Sequence, residues 1–345
     1  MTKQILIVFT GGTIGSTATE GTINTNPATA YKLIQLFQQH YPNHQHISFT
    51  SIQPLQLLSE NLAPPAWTTL ITAIESAHPE NYDGIIITHG TDTLSFTACA
   101  LSYYFYALKK PILLVASNYP LDNPKAKGLE NFICAVEFIL QINEPGVFVP
   151  YRNPHQIMHI HRGTHLAASL QLSGDFISVQ NKHHLTFDNG QFSEPNPITD
   201  TPIKAVLLKP VFSDNILLIK PYPGLNYTHL CLNNVVAVLH DLYHSGTACA
   251  TQQWGNDYSL SEFIKRCAKQ GIPVYMAPAI KNENAYQSTR ALLDLGATML
   301  WNMSLEAAYV KLSLAYGNFT DVTKIAEFLS KNIASELINS ADSPD

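Results

Sequence analysis

The sequence predicts an α/β protein: a parallel-sheet, three-layer N-terminal domain followed by a second, smaller α/β domain. Three observations carry that expectation. Short apolar, β-branched runs alternate with longer stretches of helical period. The short runs are almost wholly apolar, as strands covered by helices on both faces must be. The alternation is broken once, across residues 181–210, where Asn181-Lys182-His183-His184 and Glu194-Pro195-Asn196-Pro197 are polar and turn-rich, as suits an interdomain connection.

The elements follow in order. Residues 5–9 read as a strand, 28–40 as a helix, 47–52 as a strand, and 65–77 as a helix with proline at its first turn. Residues 84–88 give a strand, 93–108 a helix, 111–116 a strand and 124–142 a helix. Beyond the connector, 216–220 and 235–239 read as strands, 260–269 as a helix and 273–276 as a strand. Residues 286–293 and 304–314 are the last helices. The expected boundaries are a first domain at 1–185, a linker at 186–212 and a second domain at 213–345.

Composition removes several classes of function. Only 13% of the 345 residues are Asp, Glu, Lys or Arg, about half the usual share, so the chain does not have a disordered composition. Twenty bases against 26 acids leave a net charge of −6, and no basic footprint for nucleic acid. The N-terminal apolar run Ile5-Leu6-Ile7-Val8-Phe9 meets Gly11-Gly12 too soon for a signal segment or a membrane span. The five cysteines lie far apart and form no C-x-x-C pair, which points to reduced thiols in the cytoplasm. Neither nucleic acid nor a membrane is expected as a partner.

One short pattern occurs twice. Thr10-Gly11-Gly12-Thr13 and Thr88-His89-Gly90-Thr91 each close an apolar strand with Thr-x-Gly-Thr. In an open parallel sheet, ligands bind beyond the carboxyl ends of the strands, where both turns fall. Glycine allows the backbone to approach a ligand closely. Each closing threonine offers a hydroxyl, and Asp92 adds a carboxylate. The plainer reading is a strand-to-helix turn in which Thr91 or Asp92 caps the following helix. Phosphate-loop chemistry is disfavoured, because Gly11-Gly12-Thr13-Ile14-Gly15-Ser16-Thr17 has no lysine and does not match G-x-G-x-x-G.

Thr10-Gly11-Gly12-Thr13-Ile14-Gly15 and Thr88-His89-Gly90-Thr91-Asp92-Thr93 resemble the two signature motifs of bacterial-type L-asparaginases. The stretch from Pro54-Leu55 through Ser59-Glu60-Asn61-Leu62 to Trp67 is similar to the family's substrate segment. Tyr222-Pro223-Gly224 and Leu305-Glu306-Ala307-Ala308-Tyr309-Val310-Lys311-Leu312 resemble segments of its second domain. The lack of a signal segment is closest to the cytoplasmic, type I branch. The resemblance implies hydrolysis of a side-chain amide, that of L-asparagine or a related amino acid, with no metal or organic cofactor. Thr13 would be the nucleophile. Thr91, a lysine and Asp92 would activate it, and Asp92 would also accept the substrate's α-ammonium group. Ser59 would hold the α-carboxylate with Glu60, which stands where the family often has Gln or Ser. A homo-oligomer, dimer or tetramer, is implied as well.

Two positions depart from the family. Counting from Arg162-Gly163 puts Ala168 where the lysine belongs, and no lysine occurs between Gly128 and Asn181. The loop after Thr13 carries no tyrosine, Tyr31 being the nearest. His165, beside the Arg-Gly turn, is a candidate substitute base. His159 and His161 share a strand face but lack a metal site's fixed spacing, so no metal is expected. The departures leave a second expectation, a catalytically weakened homologue that binds an amino acid as a regulatory protein, and a third, an amidotransferase subunit. The aromatic string Tyr103-Tyr104-Phe105-Tyr106 reads equally as a subunit contact or as internal packing.

Overall fold

A computed structural model describes residues 2–19, 22–25, 28–167, 172–196 and 206–338. The chain forms two compact units, divided between Pro210 and Val211.

The first unit runs β1 (Lys3–Phe9), β2 (Ser16–Thr19), β3 (Thr22–Thr25), α1 (Ala28–His40), β4 (Ile47–Ile52), α2 (Pro64–Ser76), β5 (Gly84–Thr88), α3 (Leu94–Tyr104), β6 (Pro111–Val115), α4 (Gly128–Glu137), β7 (Gly146–Arg152), β8 (Met158–Arg162), β9 (Leu185–Asp188) and β10 (Gln191–Phe192). Its large sheet has the order β10-β9-β8-β7-β6-β5-β1-β4 among the described residues. From β4 to β7 the pairing is parallel. β7, β8, β9 and β10 then pair antiparallel. β5 and β6 are buried along their whole length, which explains their unbroken apolar sequences. On one face Ile5, Ile7, Ile86 and Leu113 pack with Phe37 of α1 and Phe132 and Ala135 of α4. Leu6, Val8, Ile85 and Ile87 alternate with them and are equally buried, so they face the opposite layer.

Several elements differ from the sequence reading. The expected helix 124–142 is α4 followed by a wider, π-type turn at Phe138–Ile142. α3 stops at Tyr104, short of residue 108. Strand β7 was not expected, although its Val147-Phe148-Val149 is buried. The stretch expected as linker holds the end of β9 and all of β10, which carry the sheet outward.

The second unit comprises β11 (Ile216–Ile219), β12 (Ala237–His240), α5 (Leu260–Lys269), β13 (Val274–Ala279), α6 (Gln287–Asp294), β14 (Thr298–Trp301), α7 (Leu305–Asn318) and α8 (Val322–Ser330). Its strands form one parallel sheet in chain order. β14 and α8 were absent from the sequence reading. The fold class is as expected: a large, mostly parallel α/β unit and a smaller parallel one.

Candidate active site

The two Thr-x-Gly-Thr turns come together at the carboxyl ends of β1 and β5, which are adjacent in the sheet. The Thr10 hydroxyl donates to the Thr88 carbonyl at 2.6 Å and ties one turn to the other. Gly12 has φ +71°, and a Cβ there would stand 2.3 Å from the Gly90 nitrogen. Only glycine permits that backbone-to-backbone approach.

A third segment closes over the turns. Leu57 N–H donates to the Thr10 carbonyl (3.1 Å), and Gly12 N–H donates to the Leu57 carbonyl (3.0 Å). This short ladder delivers the 3-10 turn Ser59–Asn61 to the second motif. The Ser59 hydroxyl donates to Asp92 Oδ2 at 2.8 Å and accepts the Asp92 N–H at 3.2 Å. Thr93 Oγ1 donates to the Ser59 carbonyl at 3.0 Å. Ser59 is only 3% exposed, and a Cβ on Gly90 would lie 2.4 Å from its oxygen. Three segments distant in sequence thus lock around Ser59 and Asp92.

The helix-capping reading fails on this geometry. The residue at the N-cap of α3 is Thr93, and its side chain makes no capping bond. It bonds to Ser59 instead, and the Asp92 carboxylate accepts from Ser59. Asp92 and Glu60 are exposed, while Thr13 and Thr91 are half-buried. Thr13 opens a single 3-10 turn, Thr13–Gly15.

His89, a motif residue given no role from sequence, is buried beneath this edge. Its Nδ1 lies 2.8 Å from the Gly90 carbonyl. Burial lowers its pKa, against the Gly90 carbonyl and Asp92, which raise it. A neutral imidazole facing a carbonyl through Nδ1 carries its proton there, so His89 donates to Gly90 and steadies the turn. The available signal was its place inside the second Thr-x-Gly-Thr turn, directly after β5.

The segment that should hold the family lysine runs close to α3. Gly163 begins the 3-10 turn Gly163–His165, and a Cβ on it would meet Ser102 Oγ at 2.5 Å and the Ala98 carbonyl at 2.9 Å. His165 is half-buried at the end of that turn. Ala167 N–H then donates to the Ile177 carbonyl. Ala168 lies outside the described residues. On β8, His161 is buried with its Nδ1 2.8 Å from Ser178 Oγ. Burial, with His159 and His183, takes its pKa down to about 3. The rings of His159 and His183 stack at 4.3 Å. No group of three or more His, Cys, Asp or Glu able to hold a metal occurs among the described residues.

The aromatic string largely packs within its own unit. Tyr103 and Phe105 are buried. Tyr104 donates to Glu75 (2.7 Å), and the Tyr106 hydroxyl accepts the Val206 N–H (2.5 Å). No helix of the described residues is long and apolar enough to cross a membrane.

Known proteins share this architecture. The family model described as Asparaginase, N-terminal, matches residues 4–190. The D subunit of glutamyl-tRNA(Gln) amidotransferase from Metallosphaera sedula is 28% identical over 344 residues, covering 96% of this chain and 76% of that protein. The Saccharolobus solfataricus protein of the same name is 28% identical over 346 residues, at 97% and 76% coverage. The thermostable L-asparaginase from Thermococcus kodakarensis superposes with a TM-score of 0.82 at 25% identity, covering 97% of this chain and 99% of that one. L-asparaginase I from Vibrio cholerae shares the fold, with a TM-score of 0.77 at 22% identity and coverage of 98% and 100%. The matched span contains both glycine turns, the Ser59 segment and the large sheet except its outer strand β10, and it exceeds half the sequence: the chain belongs to the asparaginase family.

Proposed function

We propose that this chain hydrolyses the side-chain amide of L-asparagine to L-aspartate and ammonia through a threonine nucleophile, in the manner of the cytoplasmic, type I branch. The observation that carries the reading is the convergence of both threonine turns on the Ser59–Asp92 pair.

In this reading Thr13 Oγ attacks the amide carbon while a base removes its proton. Ammonia leaves with a proton returned to it, and water then hydrolyses the acyl-enzyme. The Gly12 N–H is already bonded to Leu57, so the oxyanion falls to the amide of the second turn, at Thr91. Asp92, exposed and carrying a free oxygen beyond Ser59, receives the substrate ammonium group. Ser59 aims its proton at Asp92, and it reaches the α-carboxylate by rotating its hydroxyl. Glu60 stands beside it at the exposed rim. Thr91 supports activation of Thr13. With Ala168 at the lysine position, the proton goes to another group, for which His165 is the nearest imidazole in sequence. No metal or organic cofactor takes part.

The similarity to amidotransferase D subunits along nearly the whole chain favours a second reading in the same chemistry: an amidase subunit that supplies ammonia to a partner. The first reading goes with a cytoplasmic homo-oligomer, a dimer or tetramer, and the second with a hetero-complex. The missing lysine supports a third, an amino-acid-binding homologue of weakened activity.

The test is ammonia release from L-asparagine and L-glutamine by the purified chain beside Thr13→Ala. Turnover of asparagine that falls by roughly 10³-fold or more in the variant carries the first reading. Preference for glutamine turns it toward the second. Absence of turnover in both folded proteins, with asparagine raising their thermal midpoints, establishes the binding protein instead.

A further inference from the structure

The second unit contains a cavity of about 500 Å³ formed by the segments that follow β11 and β12. Its walls include five aromatic side chains, Tyr222, Tyr227, Tyr243, Trp254 and Tyr258, with the Cys249 thiol among them, and none of the lining residues is acidic or basic. The volume is in the range of ~300–1,000 Å³ that small-molecule sites occupy. Trp254 is 74% exposed and Tyr222 57%, a large aromatic surface to leave in water around one hollow.

The wall is built to stay neutral. The Tyr227 hydroxyl donates to His240 Nε2 at 2.8 Å, and the other ring nitrogen of His240 donates to the Asp241 carbonyl. Both imidazole nitrogens are therefore used by an uncharged ring. Burial takes the His240 pKa down to about 4 and pushes the Tyr227 phenol upward, so neither group ionises near neutrality. One face of Tyr227 stacks on Phe263 at 4.9 Å. The cation behind that layer, Arg266, stands over Phe263 and donates to the Tyr227 carbonyl (2.7 Å), and it does not line the cavity.

We propose that this cavity binds an organic cation of the methylated-ammonium class. Aromatic faces are negative and attract a cation placed over them. Those faces repel an anion, and no basic side chain lines the cavity to offset that repulsion. A compact, strongly hydrated cation such as a primary ammonium would lose its water here without a carboxylate to replace it. A quaternary ammonium carries a weakly hydrated charge spread over methyl groups, which suits several rings and phenol oxygens.

The cavity lies wholly in the second unit, whereas the threonine turns lie in the first, so failure of this inference leaves the amidohydrolase reading untouched. The test uses calorimetric titration of the full chain with choline, beside its neutral isostere 3,3-dimethyl-1-butanol, and with Trp254→Ala and Tyr222→Leu. Both side chains are more than half exposed, so both variants fold. Saturable choline binding is expected, with the neutral alcohol at least about tenfold weaker and each variant weakened roughly 3- to 30-fold. Absence of saturable choline binding, equal binding of the alcohol, or choline affinity unchanged in both variants would each overturn the proposal.

Discussion

A Cβ at Gly12 would penetrate to 2.3 Å of the Gly90 nitrogen, and one at Gly90 would meet Ser59 Oγ at 2.4 Å. These glycines set the spacing of the site more strictly than the threonines they flank. Gly12→Ala combines backbone overlap with an L-residue at φ +71°. It should cost about 1–3 kcal/mol of stability and, if the amidase reading holds, reduce turnover by roughly 100-fold. Steady-state ammonia release and thermal unfolding check both. Ser59→Ala removes the hydroxyl that orients the Asp92 carboxylate. It should raise KM for L-asparagine about tenfold with a smaller effect on kcat, since the bond positions a binding group. An unchanged KM would separate Ser59 from substrate recognition. The two turns that frame the candidate site were legible because Thr-x-Gly-Thr occurs twice at strand ends. His89 and Thr10 were not singled out, because their role lies in bonds to backbone carbonyls of the turns.

At the scale of elements, α7 shows how a helix is tied to the chain beyond it. Lys311 is fully buried in α7, and its ammonium meets the equally buried Glu336 at 2.5 Å. It also donates to the Leu329 carbonyl at 3.0 Å and to the Lys331 carbonyl. Glu336 accepts the Ala334 N–H at 2.8 Å as well. Removing one partner strands the other charge in the core, so Lys311→Met should lower unfolding free energy by about 3–5 kcal/mol. Lys311→Met with Glu336→Gln should recover more than half of that, because no charge remains and the backbone N–H keeps an acceptor. Denaturant titration measures both, and equal losses in the single and double variants would remove the ion pair as the cause. Helical period predicted α7, yet a lysine on it reads from sequence as a solvated charge. The outer strands β9 and β10 were similarly hidden: they are only four and two residues long, and their hydrogen bonds come from neighbours already in place.

Over the whole molecule, acid should be destabilising through buried histidines in both units. His161 in the first has its pKa lowered to about 3, and His240 in the second to about 4, against an ordinary value of 6.5. The unfolded chain therefore binds protons below pH 6.5 that the folded chain refuses. Stability is complete above that pH and falls as pH drops toward the folded values, each group contributing up to about 1.4 kcal/mol per pH unit. The thermal midpoint should decline between pH 6.5 and 4, and His161→Asn should make the decline shallower. A midpoint constant over that interval would refute the assignment. The sequence by itself determined the α/β class, the parallel core of the large sheet and the two glycine turns, because apolar runs, helical period and turn chemistry are local properties. Tertiary structure alone decided which segments meet: that Leu57 ladders onto the first turn, that Ser59 rather than a helix cap holds Asp92, and that tyrosines from separate loops wall one cavity. Those contacts join residues far apart in the chain, where no local period or propensity specifies the partner.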